Sequence, residues 1–319
     1  MINKIPVIFI TDNNFVMQTC VAITSLIENK DEETIYDIYI LSSECNKQSV
    51  EKLQRVNYRN CSLKIIPVST EKYQDIKQLE HIPIACLLKF DICDIIQKYD
   101  KVIYLDGDII VKKDLKEFFS IDLKDNFLGG VLEGSCIGEN FRRINAGILL
   151  MNLKRMRDER MSEILIQTRR GLGDRGSMDQ QTMNLVFRDK ITFLPLKYNC
   201  IAANFIGRQK LRNSLDEINS LYGSDYKEID EIISDAVIVH YATGFKPWLY
   251  TYAPCGELWH TYYKKTPYSK EQLKRMGKLQ NWIHMYIDST KKYGIAKGTY
   301  RVIRHYIAKF SKHRNSDWG

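Results

Sequence analysis

Seven short apolar runs mark the chain, at residues 5–10, 35–41, 63–68, 102–105, 127–132, 147–151 and 236–240. Each is short and mostly aliphatic, the signature of a buried strand rather than a helix. Between them, residues 15–28, 47–56, 85–99, 157–170 and 178–187 carry apolar side chains at helical spacing and are predicted as helices. Strands alternating with helices build a layered α/β domain. No internal repeat, low-complexity tract or Pro/Gly-rich linker divides residues 1–259, so that stretch is read as one domain and residues 260–319 as an extension.

Charge sharpens that division. The net charge is +8, but residues 1–259 carry 33 basic against 36 acidic side chains, whereas residues 260–319 carry 14 against three. The excess is therefore confined to the extension, where Tyr262, Tyr263, Tyr268, Trp282, Tyr286, Tyr293, Tyr300, Tyr306, Phe310 and Trp318 interleave with it. Eight scattered cysteines with no CxxC pair suit free thiols in a reducing compartment. No run reaches the ~18 apolar residues of a membrane span, and residues 5–10 are too few for a signal peptide, so the expectation is a cytoplasmic protein.

The candidate chemistry sits where apolar runs end. Asp106-Gly107-Asp108 follows the run 102–105 at once, and residues two apart in an extended chain project to one side, so the two carboxylates can converge on a hard divalent cation. Ligands of open α/β sheets bind at the carboxyl ends of the strands, where this pair lies; the alternative is a solvated turn. A dehalogenase-like phosphatase would also use Asp-x-Asp, with Gly173-Asp174 and Asp179 as its later motif. That motif should close a buried strand, and the polar residues 169–173 are no such strand.

A metal-dependent sugar-nucleotide transferase needs more parts, and the chain offers each in order. Asp12, Asn14 and Phe15 after the first run can bond a uracil, bond a ribose and stack on the base, or else start the following helix. Asn145-Ala146-Gly147 opens the run 147–151, with Gly147 permitting close backbone approach, and Asp179-Gln180 opens a helix; both motifs also have purely structural readings. His240 ends the last run and can complete a site with two carboxylates, while Lys246, six residues on, can hold a phosphate.

Together and in sequence, Thr11 to Phe15, Tyr104 to Asp108, the Asn145-Ala146-Gly147 stretch, residues 178–184 and the loop from His240 to Trp248 resemble glycosyltransferase family 8, which includes bacterial lipopolysaccharide galactosyl- and glucosyltransferases and glycogenin. The resemblance implies a GT-A fold, a Rossmann-like nucleotide-diphospho-sugar transferase domain, with a basic, mainly helical extension. It implies a UDP-hexose donor, galactose or glucose, moved with retention of configuration to a lipid-linked or cell-surface glycan. It implies manganese, with magnesium as the alternative, on Asp106, Asp108 and His240. Asp12, Asn14 and Phe15 would hold uridine, Asn145, Ala146 and Gly147 would bind the donor, Asp179 and Gln180 would be the catalytic residues and with Asn145 contact the transferred sugar, and Lys246 would meet the diphosphate. An amide such as Gln180 is a poor nucleophile, which favours same-face substitution with the departing phosphate oxygen as base.

Two positions depart from the family pattern. Where members usually show Tyr-x-Arg-Leu before the metal strand, this chain has Leu87-Leu88-Lys89-Phe90; Lys89 keeps the charge without the guanidinium fork and is expected still to bind the donor, helped by Arg142 or Arg143. Thr243 takes a place usually held by Gly, with Gly244 next. Lys89 also motivates a second reading, a catalytically impaired UDP-sugar-binding or scaffold protein of the same fold.

The basic aromatic extension is expected to lie on an anionic bilayer, at the inner face of the cell membrane, where each basic residue contributes about 1 kcal/mol. Residues 295–310 fit an amphipathic helix there. An ordinary helical cap with a solvated basic face is the alternative. Nucleic acid is not an expected partner, because no zinc, RNA-recognition or helix-turn-helix pattern accompanies the charge.

Overall fold

The computed structural model describes residues 4–77, 83–139, 141–173, 178–207, 210–293, 295, 299 and 300. Two compact units emerge, residues 1–244 with 257–271, and residues 245–256 with 272–319.

Among the described residues nine strands lie in the first unit: β1 (Ile5–Asp12), β2 (Tyr36–Ser43), β3 (Ser62–Pro67), β4 (Lys101–Leu105), β5 (Ile109–Val111), β6 (Leu128–Leu132), β7 (Ile144–Asn152), β8 (Ile191–Phe193) and β9 (Ile238–His240). Seven of them form one sheet in the order β3-β2-β1-β4-β7-β6-β8, and β5 pairs with β9 in a small second sheet. Strands β1 to β4 are mutually parallel, while β7 runs antiparallel to both β4 and β6. The helices are α1 (Val16–Glu28), α2 (Lys47–Gln54), α3 (Ile92–Ile95), α4 (Lys116–Ser120), α5 (Leu153–Asp158), α6 (Met161–Leu172), α7 (Met178–Val186), α8 (Leu215–Tyr222), α9 (Ile229–Asp235), α10 (Gly256–Tyr263) and α11 (Lys278–Tyr293). The expected α/β layering holds.

One core layer gathers Ile8, Tyr39, Leu41, Leu87, Phe90, Tyr104, Leu149, Met151, Met156, Leu165, Met183 and Phe187. Burying a large apolar side chain contributes about 1.5–3 kcal/mol, so this layer fixes the register of β4 against β7. α1 is buried over most of its circumference, from Val16 to Ile27. A helix apolar on so many sides belongs in an interior.

Two predicted helices differ in detail. Residues 84–91 wind as a 3-10 helix, Ile84–Asp91, followed by the short α3. Nearly every side chain there is buried, and three residues per turn place Cys86 and Lys89 on one face, which long-range contacts of Lys89 then hold. The helix predicted over 157–170 breaks at Arg160, whose φ of 51° separates α5 from α6. Asn152 starts α5 by accepting the Arg155 N–H at 3.1 Å. The segment before Gly173-Asp174 is thus helix α6 rather than a strand, which removes the phosphatase motif's context; Asp174 itself lies outside the described residues.

In the second unit the rings of Phe245, Tyr250 and Tyr252 meet with centroids 5.4–5.8 Å apart. Asn281 donates to the Tyr252 hydroxyl at 2.7 Å and so joins α11 to the segment 245–256. Along α11, Leu279, Trp282, Ile283 and Ile287 are exposed at i, i+3, i+4 and i+8 spacing, one helical face. Among the described residues no helix is long and apolar enough to cross a membrane. The stretch 295–310 lies outside the described residues except for 295, 299 and 300.

Candidate active site

Strand β4 delivers Asp106, whose backbone N–H still bonds the Gly147 carbonyl of β7 at 2.8 Å, so the ladder carries one residue past the strand. The chain then turns at Gly107 over the start of α1. A Cβ there would lie 2.7 Å from Thr19 Oγ1 and 3.0 Å from the Phe15 ring, which leaves room only for glycine. After Asp108 comes β5, and its antiparallel pairing places His240 opposite Ile109. The Tyr241 N–H bonds the Asp108 carbonyl at 2.9 Å. A residue more than 130 positions away thereby arrives beside the Asp-x-Asp turn.

Ligand atoms of Asp106, Asp108 and His240 all lie within 4.8 Å of one another. His240 Nε2 is 3.2 Å from Asp108 Oδ1 and 3.9 Å from Asp106 Oδ2. Gly147 completes the cradle, because a Cβ on it would fall 2.4 Å from His240 Cε1 and 2.7 Å from Asp106 Oδ2. Two carboxylates and an imidazole suit a borderline-to-hard divalent ion, and the absent side chain at 147 keeps the space in which one would sit.

The Asp106 carboxyl is raised above its ordinary value, first by burial and then by Asp108, against the pull of Lys89, His240 and a hydrogen bond from the Tyr104 hydroxyl at 2.5 Å. Lys89 is 3% exposed and projects from the 3-10 helix beneath this point. Its Nζ lies 2.5 Å from Asp179 Oδ2, 3.0 Å from the Ala146 carbonyl and 3.3 Å from Asp106 Oδ1. Burial alone would lower the ammonium pKa, but Asp106 and Asp179 reverse the sign and hold it above the ordinary lysine value. Asp179 and the Ala146 carbonyl accept hydrogen bonds from it, and Asp106 is its second ion-pair partner.

Asn145, Ala146 and Gly147 open β7, and Asp179 and Gln180 lie in the first turn of α7. Gln180 Oε1 accepts from Asn145 Nδ2 and from the Ala146 N–H, both at 3.1 Å, while its Nε2 donates to Glu133 Oε1 at 2.6 Å. Asn184, one turn on, brackets Ile144 through N–H and carbonyl at 2.7 and 2.9 Å. These contacts tie α7 to the start of β7.

At the end of β1, Asp12 Oδ1 accepts the Asn14 N–H at 2.9 Å, forming a turn that leaves Asn14 exposed and Phe15 half-buried. Asn13 is committed elsewhere, to Ser49 Oγ at 2.7 Å and the Asn46 N–H at 3.2 Å. Lys246 belongs to the second unit, with its Nζ 5.7 Å from the centre of the Trp248 ring.

The structure thus gathers Lys89, Asp106, Asp108, Asn145, Ala146, Gly147, Asp179, Gln180 and His240 in one contiguous contact network, with Phe15 against Gly107. Sequence reasoning missed three members. Tyr104 stands two residues before Asp106, the spacing that shares a strand face. Glu133 follows an apolar run just as Asp106 does, and that signal was legible. Asn199, which bonds His240 Nδ1 at 2.9 Å, has no local signature.

A family model described as glycosyl transferase family 8 matches residues 6–252. The chain is 25% identical over 258 residues to a lipopolysaccharide 1,2-glucosyltransferase of Escherichia coli, covering 74% of this chain and 71% of that one. Over 249 residues it is 29% identical to glycosyltransferase GlyD of Streptococcus pneumoniae, covering 74% of this chain but 28% of that larger protein. Among solved structures, galactosyltransferase LgtC in complex with donor and acceptor sugar analogues superposes with a TM-score of 0.68 at 21% identity, over 82% of this chain and 96% of that one. That last likeness is one of fold.

Proposed function

The chain belongs to glycosyl transferase family 8, and we propose that it transfers a hexose, glucose or galactose, from a UDP-sugar to a hydroxyl of a lipid-linked or cell-surface glycan, with retention and with manganese as cofactor. The observation that carries this reading is the meeting of Asp106, Asp108 and His240 directly beside Asn145 to Gly147 and Asp179. When bound there, the cation would neutralise the diphosphate as it departs.

The protein's own groups would do the rest. Phe15 offers a half-buried face for the base, with Asp12 and Asn14 at the same turn for uracil and ribose. Asp179 and the backbone from Asn145 to Gly147 would orient the sugar. Gln180 Oε1 already receives two N–H bonds, so its lone pairs are spent on orienting β7 rather than on attack. That favours same-face substitution, in which the leaving phosphate oxygen takes the acceptor's proton. Lys89, with its donors turned to protein acceptors, would serve the donor by fixing Asp106 and Asp179.

A panel of UDP-hexoses, scored for UDP release with manganese and for product anomer by NMR, tests the assignment. Release with at least one donor and an α-linked product is expected; failure to bind or cleave any UDP-hexose would leave only a scaffold role. We also propose that the basic extension rests on an anionic bilayer, supported by the exposed face of Leu279, Trp282, Ile283 and Ile287 within a strongly basic segment. Sedimentation with anionic but not neutral vesicles is expected, and equal binding to both would remove that role.

A further inference from the structure

We propose that Asn199 is the positioning residue of the cation site: it holds His240 as the Nδ1–H tautomer, through a one-way chain of side-chain amides whose direction is set at its far end by Glu133. The inference rests on the reading of Asp106, Asp108 and His240 as cation ligands.

A carboxylate can only accept hydrogen bonds, so Glu133 admits one orientation of its neighbour. Its Oε2 meets the Arg143 Nε and the Ser135 hydroxyl, and its Oε1 accepts from Gln180 Nε2. Gln180 must then turn Oε1 the other way, toward Asn145 Nδ2. Asn145 in turn presents Oδ1 to Asn199 Nδ2 at 2.9 Å. Asn199 is left with Oδ1 facing His240 Nδ1 at 2.9 Å. A carbonyl oxygen has no proton to give, so the imidazole proton resides on Nδ1.

Two backbone groups that can only donate enforce the same direction. The Ala146 N–H bonds Gln180 Oε1 and the Gly147 N–H bonds Asn145 Oδ1, each at 3.1 Å. The polarity of the chain is therefore fixed from both sides.

The consequence falls on Nε2, which bears a lone pair and faces Asp108 Oδ1 and Asp106 Oδ2 at 3.2 and 3.9 Å. Only that tautomer can ligate from this position. Were the amides reversed, Asn199 Nδ2 would donate to Nδ1, and the proton on Nε2 would point between the two carboxylates, where the ion belongs. Asn199 reaches this place because the Cys200 N–H bonds the Ile238 carbonyl at 3.0 Å and the His240 N–H bonds the Cys200 carbonyl at 2.9 Å, laying residue 199 alongside β9.

The test uses the full chain, labelled with nitrogen-15 and supplied with magnesium in place of paramagnetic manganese, because without an ion the two carboxylates would draw a proton onto Nε2. Long-range proton–nitrogen spectra report the tautomer, with His240 assigned by the signal lost in His240→Gln. The parent is expected to show Nδ1–H. Asn199→Ala should populate Nε2–H and weaken manganese binding about 10–100-fold, the usual cost of losing a ligand's hydrogen-bond partner. Asn199→Asp, which keeps an acceptor for Nδ1, should retain the parent tautomer, and it carries the comparison if Asn199→Ala does not fold. Glu133→Gln, able to donate as well as accept, should shift both readouts in the direction of Asn199→Ala by a smaller factor. A parent in the Nε2–H form, an Asn199→Asp chain that leaves it, or an Asn199→Ala chain with parental tautomer and affinity would overturn the proposal. A parent with the Nδ1–H form that binds no manganese would instead overturn the cation reading, so the two failures are told apart.

Discussion

Lys89 and Asp179 face each other at 2.5 Å with both side chains nearly out of water, and the same ammonium touches Asp106. Removing one partner of such a group leaves uncompensated charge, at a cost of about 3–5 kcal/mol. Lys89→Met is therefore expected to melt well below the parent in metal-free buffer. Because a divalent ion would offset part of the exposed carboxylate charge, manganese with UDP should recover more stability in the variant than in the parent. Thermal melts with and without manganese and UDP check this; equal recovery in both chains would show that Lys89 does not share the ion's electrostatic task.

Asp108→Asn keeps the shape of the turn and withdraws one anionic ligand. UDP release in manganese should fall by about two orders of magnitude or more, equivalent to roughly 3 kcal/mol of transition-state stabilisation, while the melting temperature changes little. Retained turnover would remove the proposed ion site.

Gly147→Ala places a methyl group against His240 Cε1 and Asp106 Oδ2, closer than van der Waals contact permits. The expected outcome is a loss of about 1–3 kcal/mol in stability, the usual range for overpacking, together with weakened manganese binding measured by calorimetry. Undiminished binding would mean that the imidazole can retreat without leaving the site.

Acid stability should report on Asp37, which pairs with Pro6 near the start of β1, whereas the candidate site lies past the strand ends. Burial pushes its carboxyl up, but hydrogen bonds from Ser62, Tyr99 and Lys98 outweigh that and bring it from 3.8 down to about 2. A depressed folded-state value means stability that is present above about pH 4 and lost as the pH falls toward 2. Asp37→Asn should cost on the order of 1 kcal/mol at pH 6, less than full linkage because Lys98 is largely in water, and the gap to the parent should close near pH 2. Urea unfolding at both pH values measures it.

Much of this site could be read from the chain before any coordinates, because its parts sit where local pattern changes. Asp106 and His240 stand at the ends of apolar runs, with Asp108 two residues past Asp106, and a strand end is visible in one dimension. The pairing of β5 with β9 was not visible: both strands are three residues long, too short to carry a period. Periodicity likewise gave residues 85–99 as one helix, since spacings of three and four are hard to distinguish over two turns, and the tighter winding of residues 84–91 is decided by where Lys89 must reach. Asn199 escaped entirely, being an isolated polar residue whose role exists only once β9 has been laid beside it.

The reversed strand β7 has a wider effect than its own pairing. Because it runs against β4, its beginning rather than its end lies beside Asp106, and Glu133, in the segment leading into it, touches Gln180 directly. A change of length or sequence there would alter what can approach Asp106 and Gln180 while leaving the strands that hold the aspartates in place.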